Sequence, residues 1–231
     1  MDSRLYAMVF VISSAVLLVA ANVVAAVPQD KDIERMDFIH KVKTNDAKPL
    51  KVSTCYKLLG VKWGSTPVSY VINPTNPQGL TTGFITSAIS ASAETWDAST
   101  SRELFNNNYT ISASAQYGIL DGKNAIAFGD YPSNSAIAVT SIWFNRRTKQ
   151  ITEFDQIYNT RFAWGNATAN PSVMDLQNIA THELGHGAGL DDLYTSACTA
   201  VTMYGYSGYG ETDKRTLETA DITGLRNMYG A

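Results

Sequence analysis

Charge is scarce in this chain. Asp, Glu, Lys and Arg make up 17% of its 231 residues, against about 25% in ordinary usage. Ser, Thr, Asn and Tyr supply polarity instead, a balance that suits an exported protein better than a cytosolic one. The net charge is −3, so composition supplies no basic face for nucleic acid, and none is expected as a partner. Only two cysteines are present, which excludes a disulfide-dense scaffold. There are three histidines, so any centre built from imidazoles has few to draw on. No long apolar run occurs beyond residue 27, and the remainder is expected to be soluble. Apolar residues still make up 45%, enough to bury a real core in a chain of this length.

The single apolar run lies at the N-terminus. Arg4 precedes it, residues 5–27 are nearly all apolar, and Val24, Ala25 and Ala26 close it with small side chains. This reads as a signal peptide over residues 1–26, with cleavage after Ala26. The run is also long enough to remain as an anchor. Both readings export the chain, to a secreted, extracellular or cell-surface location. Membrane contact is expected only through this segment, if it is uncleaved. Residues 27–51 are rich in Lys and Asp with weak periodicity, and read as a linker or short pro-segment. His40 lies within them and reads as a solvated surface residue.

From about residue 52 the character changes. A strand signal at 68–73 is followed by a helix over 82–99, with Ile85, Ala88, Ile89, Ser92 and Trp96 on one stripe. Strand-like runs follow at 109–115, 125–128, 136–144 and 150–158, each bounded by turn residues. A second helix is expected to open with Asn170 as cap and Pro171 at its first position, to run to Ala188, and to stop at Gly189. A third covers 219–228. Strand, helix, several strands, helix, loop and helix together predict a mixed α/β layer domain over residues 52–231.

The chemistry is concentrated in residues 182–203. His182 and His186 are four apart on the expected second helix and therefore share a face. Two imidazoles so placed can reach one zinc ion at about 2.0–2.1 Å. Glu183 lies about 100° round the helix from His182, near enough to meet a water on the metal. Leu184 points to the opposite side and should pack on the core. A hydrolytic zinc site needs a third protein ligand and an open position. Gly189 lets the helix end and the chain double back, so Asp192 can approach the metal. Asp191 is the near rival for that role, and Glu211 and Glu218 are distant ones.

At this point the sequence resembles a known family. The segment HELGHGAGLDD at 182–192, followed by Thr202-Met203-Tyr204, is similar to the metzincin pattern HExxHxxGxxH/D with its Met-turn. Within the metzincins it is most similar to the matrixins, including prokaryotic matrixin-like peptidases. The ending DITGLRNMYG at 221–230 resembles the matrixin C-terminal helix, and the strand at Trp63 and the helix ending Trp96-Asp97 resemble the start of that domain. The resemblance covers about residues 55–230. It implies a zincin-like fold, α/β (α+β), with a twisted mixed sheet and about three helices. It implies His182, His186 and Asp192 as zinc ligands, Glu183 as the catalytic base and acid, and Met203 beneath the metal without ligating it. It also implies an antiparallel edge strand, for which 136–144 is the candidate, that binds extended substrate by strand addition.

The chain departs from the family in three ways. Asp192 stands where most matrixins have His. The cysteine-switch sequence PRCGxPD is absent, and Cys55 lies in a different context. No histidine remains for the structural zinc site of animal matrixins. Asp and backbone oxygens leave room for Ca2+, without a motif for it. As the only pair in an exported chain, Cys55 and Cys198 read most simply as one disulfide, bracing the loop between Asp192 and Met203. A free thiol and a thiol switch are the other readings.

These observations point to a secreted or membrane-tethered, monomeric zinc endopeptidase acting on peptides or proteins. The alternative is a zinc-stabilised extracellular binding module without catalysis. An intact Glu183 argues against it, because a zinc scaffold has no need of that carboxylate.

Overall fold

The computed structural model describes residues 31–43 and 54–231. The expected signal peptide and most of the ends of the 27–51 segment lie outside the described residues. Among the described residues there are ten strands and three α-helices: β1 (Ile33–Val42), β2 (Lys62–Trp63), β3 (Val71–Asn73), α1 (Thr82–Asp97), β4 (Thr110–Ile111), β5 (Ala125–Gly129), β6 (Ala136–Asn145), β7 (Gln150–Asn159), β8 (Trp164–Gly165), β9 (Met174–Asp175), α2 (Leu176–Ala188), β10 (Tyr206–Ser207) and α3 (Thr219–Tyr229). This is the mixed α/β architecture expected from the order of sequence patterns.

One sheet runs in the order β10-β1-β6-β7-β5-β3-β4, with β2 also paired to β7. The β7-β5-β3-β4 half is parallel. β6 is antiparallel to β7, and β1 is antiparallel to β6. β6 and β7 are buried almost throughout; β6 reads as a mostly apolar run, whereas β7 buries Glu153, Asp155, Gln156 and Asn159 among its apolar residues. β8 and β9 form a separate parallel pair.

The stripe on α1 faces inward as its spacing predicts: Ile85, Ala88, Ile89, Ser92 and Trp96 are all buried. Thr81 caps the helix by accepting from the Phe84 N–H. α1 is joined to α2 by three hydrogen bonds, Ser92 Oγ to the Gln177 carbonyl at 3.1 Å, Thr181 Oγ1 to Ser92 Oγ at 3.1 Å and Trp96 Nε1 to the Thr181 carbonyl at 2.7 Å. Trp96 is therefore a core residue with its polar edge satisfied.

Three local expectations are corrected. α2 begins at Leu176, with Asp175 rather than Asn170 as its cap. Asn170 and Pro171 stand in a turn, because Met174–Asp175 is held extended by pairing with Trp164–Gly165. The strand expected over 109–115 shrinks to Thr110–Ile111, since the chain turns at Ser112. The largest change is at the N-terminal side. Residues 33–42, read as linker, form β1, and the strand expected at the sheet's edge, β6, has β1 along its outer side.

Candidate metal centre

α2 carries His182, Glu183 and His186, all fully buried. Its end is made by Gly189, whose φ of 107° is left-handed and whose N–H bonds back to the carbonyls of Gly185 and His186. A side chain at Gly189 would also run into the Val61 carbonyl, 2.6 Å from where its Cβ would stand. That turn sends the chain back under α2 and delivers Asp192 to the two histidines, as the spacing predicts.

The imidazoles are oriented by backbone oxygens. His182 Nδ1 lies 2.7 Å from the Thr202 carbonyl, and His186 Nδ1 lies 2.9 Å from the Leu190 carbonyl. A carbonyl only accepts, so each Nδ1 carries the proton and each Nε2 keeps its lone pair. Asp192 Oδ1 stands 3.2 Å from His182 Nε2 and 3.6 Å from His186 Nε2. These three atoms are buried without a hydrogen-bond partner. Buried acceptors facing one another with no donor between them are costly. A tetrahedral ion held at about 2.0–2.1 Å would set its ligands about 3.3 Å apart, a spacing the two observed distances bracket. The donor set of two imidazoles and a carboxylate suits zinc.

Asp192 is held from outside by Tyr194, whose hydroxyl donates to Oδ2 at 2.8 Å. Burial works to raise the Asp192 carboxyl, but His186 and His182 outweigh it and hold it well below the usual range. Burial pulls His182 down to about 4, which favours the neutral imidazole a metal needs. His186 is opposed by burial yet raised by Asp192. The rival Asp191 faces away, its carboxylate 2.5 Å from Lys57 Nζ. Glu211 pairs with Lys43, and Glu218 caps α3. None of the three joins the cluster.

Glu183 lies beside this group. Thr140 Oγ1 donates to its Oε2 at 2.5 Å, while Oε1 is buried without a partner. Burial raises the Glu183 carboxyl to about 7, with His186 and the Thr140 bond opposing the shift.

Met203 lies beneath α2, where its sulfur and the Trp96 ring fill the space that a side chain at Gly185 would need. Leu184 is fully buried on the core side. The loop carrying Met203 is anchored by Asp221, which accepts from the N–H groups of Thr202 at 2.9 Å and Met203 at 3.2 Å. Cys55 and Cys198 are disulfide-bonded across 143 residues, joining the start of the domain to the loop after Asp192.

His40 was expected in solvent and is instead completely buried at this centre. Its ring contacts that of His182 edge-on, with centroids 3.9 Å apart. Its Nδ1 is 3.4 Å from Glu183 Oε1 and has no hydrogen-bond partner. The other nitrogen, Nε2, is 2.9 Å from Ser207 Oγ. Behind it lies Lys214, whose Nζ donates to the carbonyls of Tyr204 at 2.5 Å and Tyr206 at 2.8 Å and to Ser207 Oγ at 2.8 Å. Burial lowers Lys214 to about 7. Sequence reasoning missed both His40 and Lys214. For His40 a signal existed, since Met36, Phe38, His40 and Val42 alternate with Arg35, Asp37 and Lys41.

The sequence model of the matrixin family matches residues 62–230. The chain belongs to the matrixins, a metalloprotease family, and that match accounts for the sheet from β2 onward, α2 and the turn at Met203. β1 lies outside it. No curated protein matches the chain. Among the described residues, no helix is long and apolar enough to cross a membrane.

Proposed function

We propose that this protein is a zinc-dependent endopeptidase, secreted or tethered by its N-terminal segment, that hydrolyses peptide bonds with water. One observation carries the reading. Three unpartnered buried acceptors, on His182, His186 and Asp192, converge beside an unpartnered carboxylate oxygen of Glu183. Such a set suits a three-ligand catalytic zinc site better than a closed structural one.

His182, His186 and Asp192 would hold the ion, with their outer hydrogen bonds to Thr202, Leu190 and Tyr194 fixing the direction of each lone pair. Bound there, zinc would lower the pKa of a water toward about 7 and polarise a carbonyl oxygen. Glu183 Oε1 accepts the proton of the attacking water and passes it to the leaving amine. Its burial, which raises the carboxyl toward its protonated form, helps one carboxylate both to take up and to return the proton. Thr140 holds the other oxygen and so aims Oε1. Met203 packs under Gly185 and supports the helix. The domain limits, with a signal peptide or anchor over 1–26, a short pro-segment over 27–51 and a catalytic domain over 52–231, belong to the same proposal. So does action as a monomer on peptide or protein substrates.

The test is hydrolysis of an unstructured peptide library by the zinc-loaded chain, with Glu183→Gln alongside. Cleavage by the parent, a loss of at least 100-fold in the variant, and equal zinc content in both are expected. Zinc binding with no cleavage by either protein would favour the binding-module alternative. Absence of zinc binding would remove the ligand assignment itself.

A further inference from the structure

A cleft of about 520 Å³ opens between β2, the turn from β6 to β7 and the end of α3. None of His40, His182, Glu183, His186 and Asp192 lines it. Its floor is apolar: Val61, Met228 and Tyr229 are buried and Trp63 is half-buried. Two of these residues are fixed from below by the end of α2. Trp63 Nε1 donates to the Gly187 carbonyl at 2.8 Å, and the Tyr229 hydroxyl donates to the Ala188 carbonyl at 2.8 Å. The Tyr229 oxygen also accepts from the Trp63 N–H at 3.1 Å. The polar edges of both rings are thus satisfied inward, and the floor is preformed.

The rim carries charge of one sign. Lys62, Arg102 and Lys149 line the cleft, all exposed, and no Asp or Glu lines it, although the chain as a whole is acidic at −3. Exposed cations elsewhere are neutralised: Lys57 by Asp191, Lys123 by Asp121, Arg146 and Arg147 by Asp32, and Arg161 by Asp130. Among the described residues, no carboxylate forms an ion pair with Lys62, Arg102 or Lys149. Lys62 Nζ is held at the cleft by donating to the Met228 carbonyl at 2.7 Å. Lys149 stands at a φ of 58°, a left-handed position where glycine or asparagine is the unstrained choice. Its backbone is locked there, the N–H donating to the Asn145 carbonyl at 2.8 Å and the carbonyl accepting from the Lys62 N–H at 3.1 Å. A lysine kept at such a position, beside two other unneutralised cations, is a local conflict of the kind that collects at binding sites.

We propose that this cleft binds a small organic anion, an aromatic body resting against Trp63 and Met228 whose acidic groups are met by Lys62, Arg102 and Lys149. A cleft of this volume suits a small molecule, with apolar contact giving affinity and a few charged groups giving orientation. Three like charges around one apolar floor repel one another, and an anion between them relieves that repulsion. A bare inorganic anion lacks the area to use the floor, and a neutral aromatic leaves the cations unmet. The site is separate from the hydrolytic one, and its occupancy is measured without peptide cleavage, so either reading can fail alone.

The test is binding of terephthalate to the full chain, followed residue by residue through amide chemical shifts. Terephthalamide has the same ring without charge, and inorganic phosphate has charge without the ring. The expected shifts are confined to the cleft lining, centred on Trp63, Lys149 and Met228, with terephthalate bound about tenfold more tightly than either control. Lys62→Gln, Arg102→Gln and Lys149→Gln should each weaken it about threefold, the scale of an exposed ion pair. Lys123→Gln, whose cation is paired with Asp121 outside the cleft, should leave it unchanged. Added salt should weaken terephthalate and spare terephthalamide, a readout on the parent chain that needs no variant. Equal affinity for terephthalate and terephthalamide overturns the proposal, as does indifference to all three substitutions. Shifts centred on His182 and His186 overturn it too, since they would put the anion on the metal centre. Tighter binding of a capped peptide of two glutamates around one phenylalanine would replace the small molecule with an acidic chain.

Discussion

Thr140 Oγ1 donates to Glu183 Oε2 at 2.5 Å, joining the middle of β6 to the helix that carries both buried histidines. The bond lets one strand serve two purposes. Its backbone pairs with β1, and its side chain aims the carboxylate.

Thr140→Val keeps the shape of the residue and removes the donor. Glu183 then has a buried oxygen with no partner, at a cost of about 1–3 kcal/mol. The Thr140 bond lowers the Glu183 pKa, so its loss raises that pKa further above 7. We expect kcat/KM to fall about tenfold and the acid limb of its pH profile to move to higher pH. An unchanged limb would mean that Glu183 is not the group titrating.

Tyr194→Phe isolates the support of Asp192. The ring remains against Tyr206, with centroids 5.2 Å apart, and only the hydrogen bond to Oδ2 is lost. Removing such an outer partner commonly weakens metal affinity about 10–100-fold. Zinc affinity measured by competition with a chelator should fall within that range, with the melting curve of the metal-free chain little altered.

Gly185→Ala tests the packing beneath the metal centre. The added Cβ would lie 2.6 Å from the Trp96 ring and press on the Met203 sulfur, and both side chains are fully buried. Overpacking of this kind costs about 1–3 kcal/mol. Urea unfolding should show that loss, although alanine is intrinsically the better helix former.

Glu153 gives a pH signature away from the metal. It accepts from the N–H groups of Asp121 and Gly122, yet burial raises its carboxyl from 4.5 to about 7. The folded chain thus holds this proton more tightly than the unfolded chain does. The resulting stability is full below pH 4.5 and is lost as pH rises through 7. The urea midpoint of the parent should therefore fall between pH 5 and pH 7.5, and Glu153→Gln should reduce that slope.

Much of the centre was legible because its determinants are local. The i, i+4 spacing of His182 and His186 sets both on one face of any helix, whatever surrounds it. Gly189 breaks that helix by a conformation few other residues accept, and Asp192 lies within reach of the turn it makes. The run that became β6 was evident for a local reason too, since its residues from Ala136 to Phe144 are mostly apolar or β-branched and bounded by turn residues.

What was misread or left open depended on distant partners. Asn170 and Asp175 are both good helix caps, and only the pairing of β9 with β8 chose between them. Asp191 and Asp192 are adjacent acids, separated by Lys57 drawing one of them outward. His40 looked like a surface residue because charged residues are interleaved through the segment around it, which masked the alternation of Met36, Phe38, His40 and Val42. Its burial comes from an unfilled edge on β6 and from imidazoles contributed by α2.

The sequence by itself determined the family, the shared helix face of His182 and His186, and the order of the main strands and helices from β3 to α3, because spacing along a backbone dictates those. Tertiary structure alone decided that β1 takes the place beside β6 and that His40 meets Glu183. An open sheet edge leaves main-chain donors and acceptors unpaired, and only the folded chain shows which segment pairs with them.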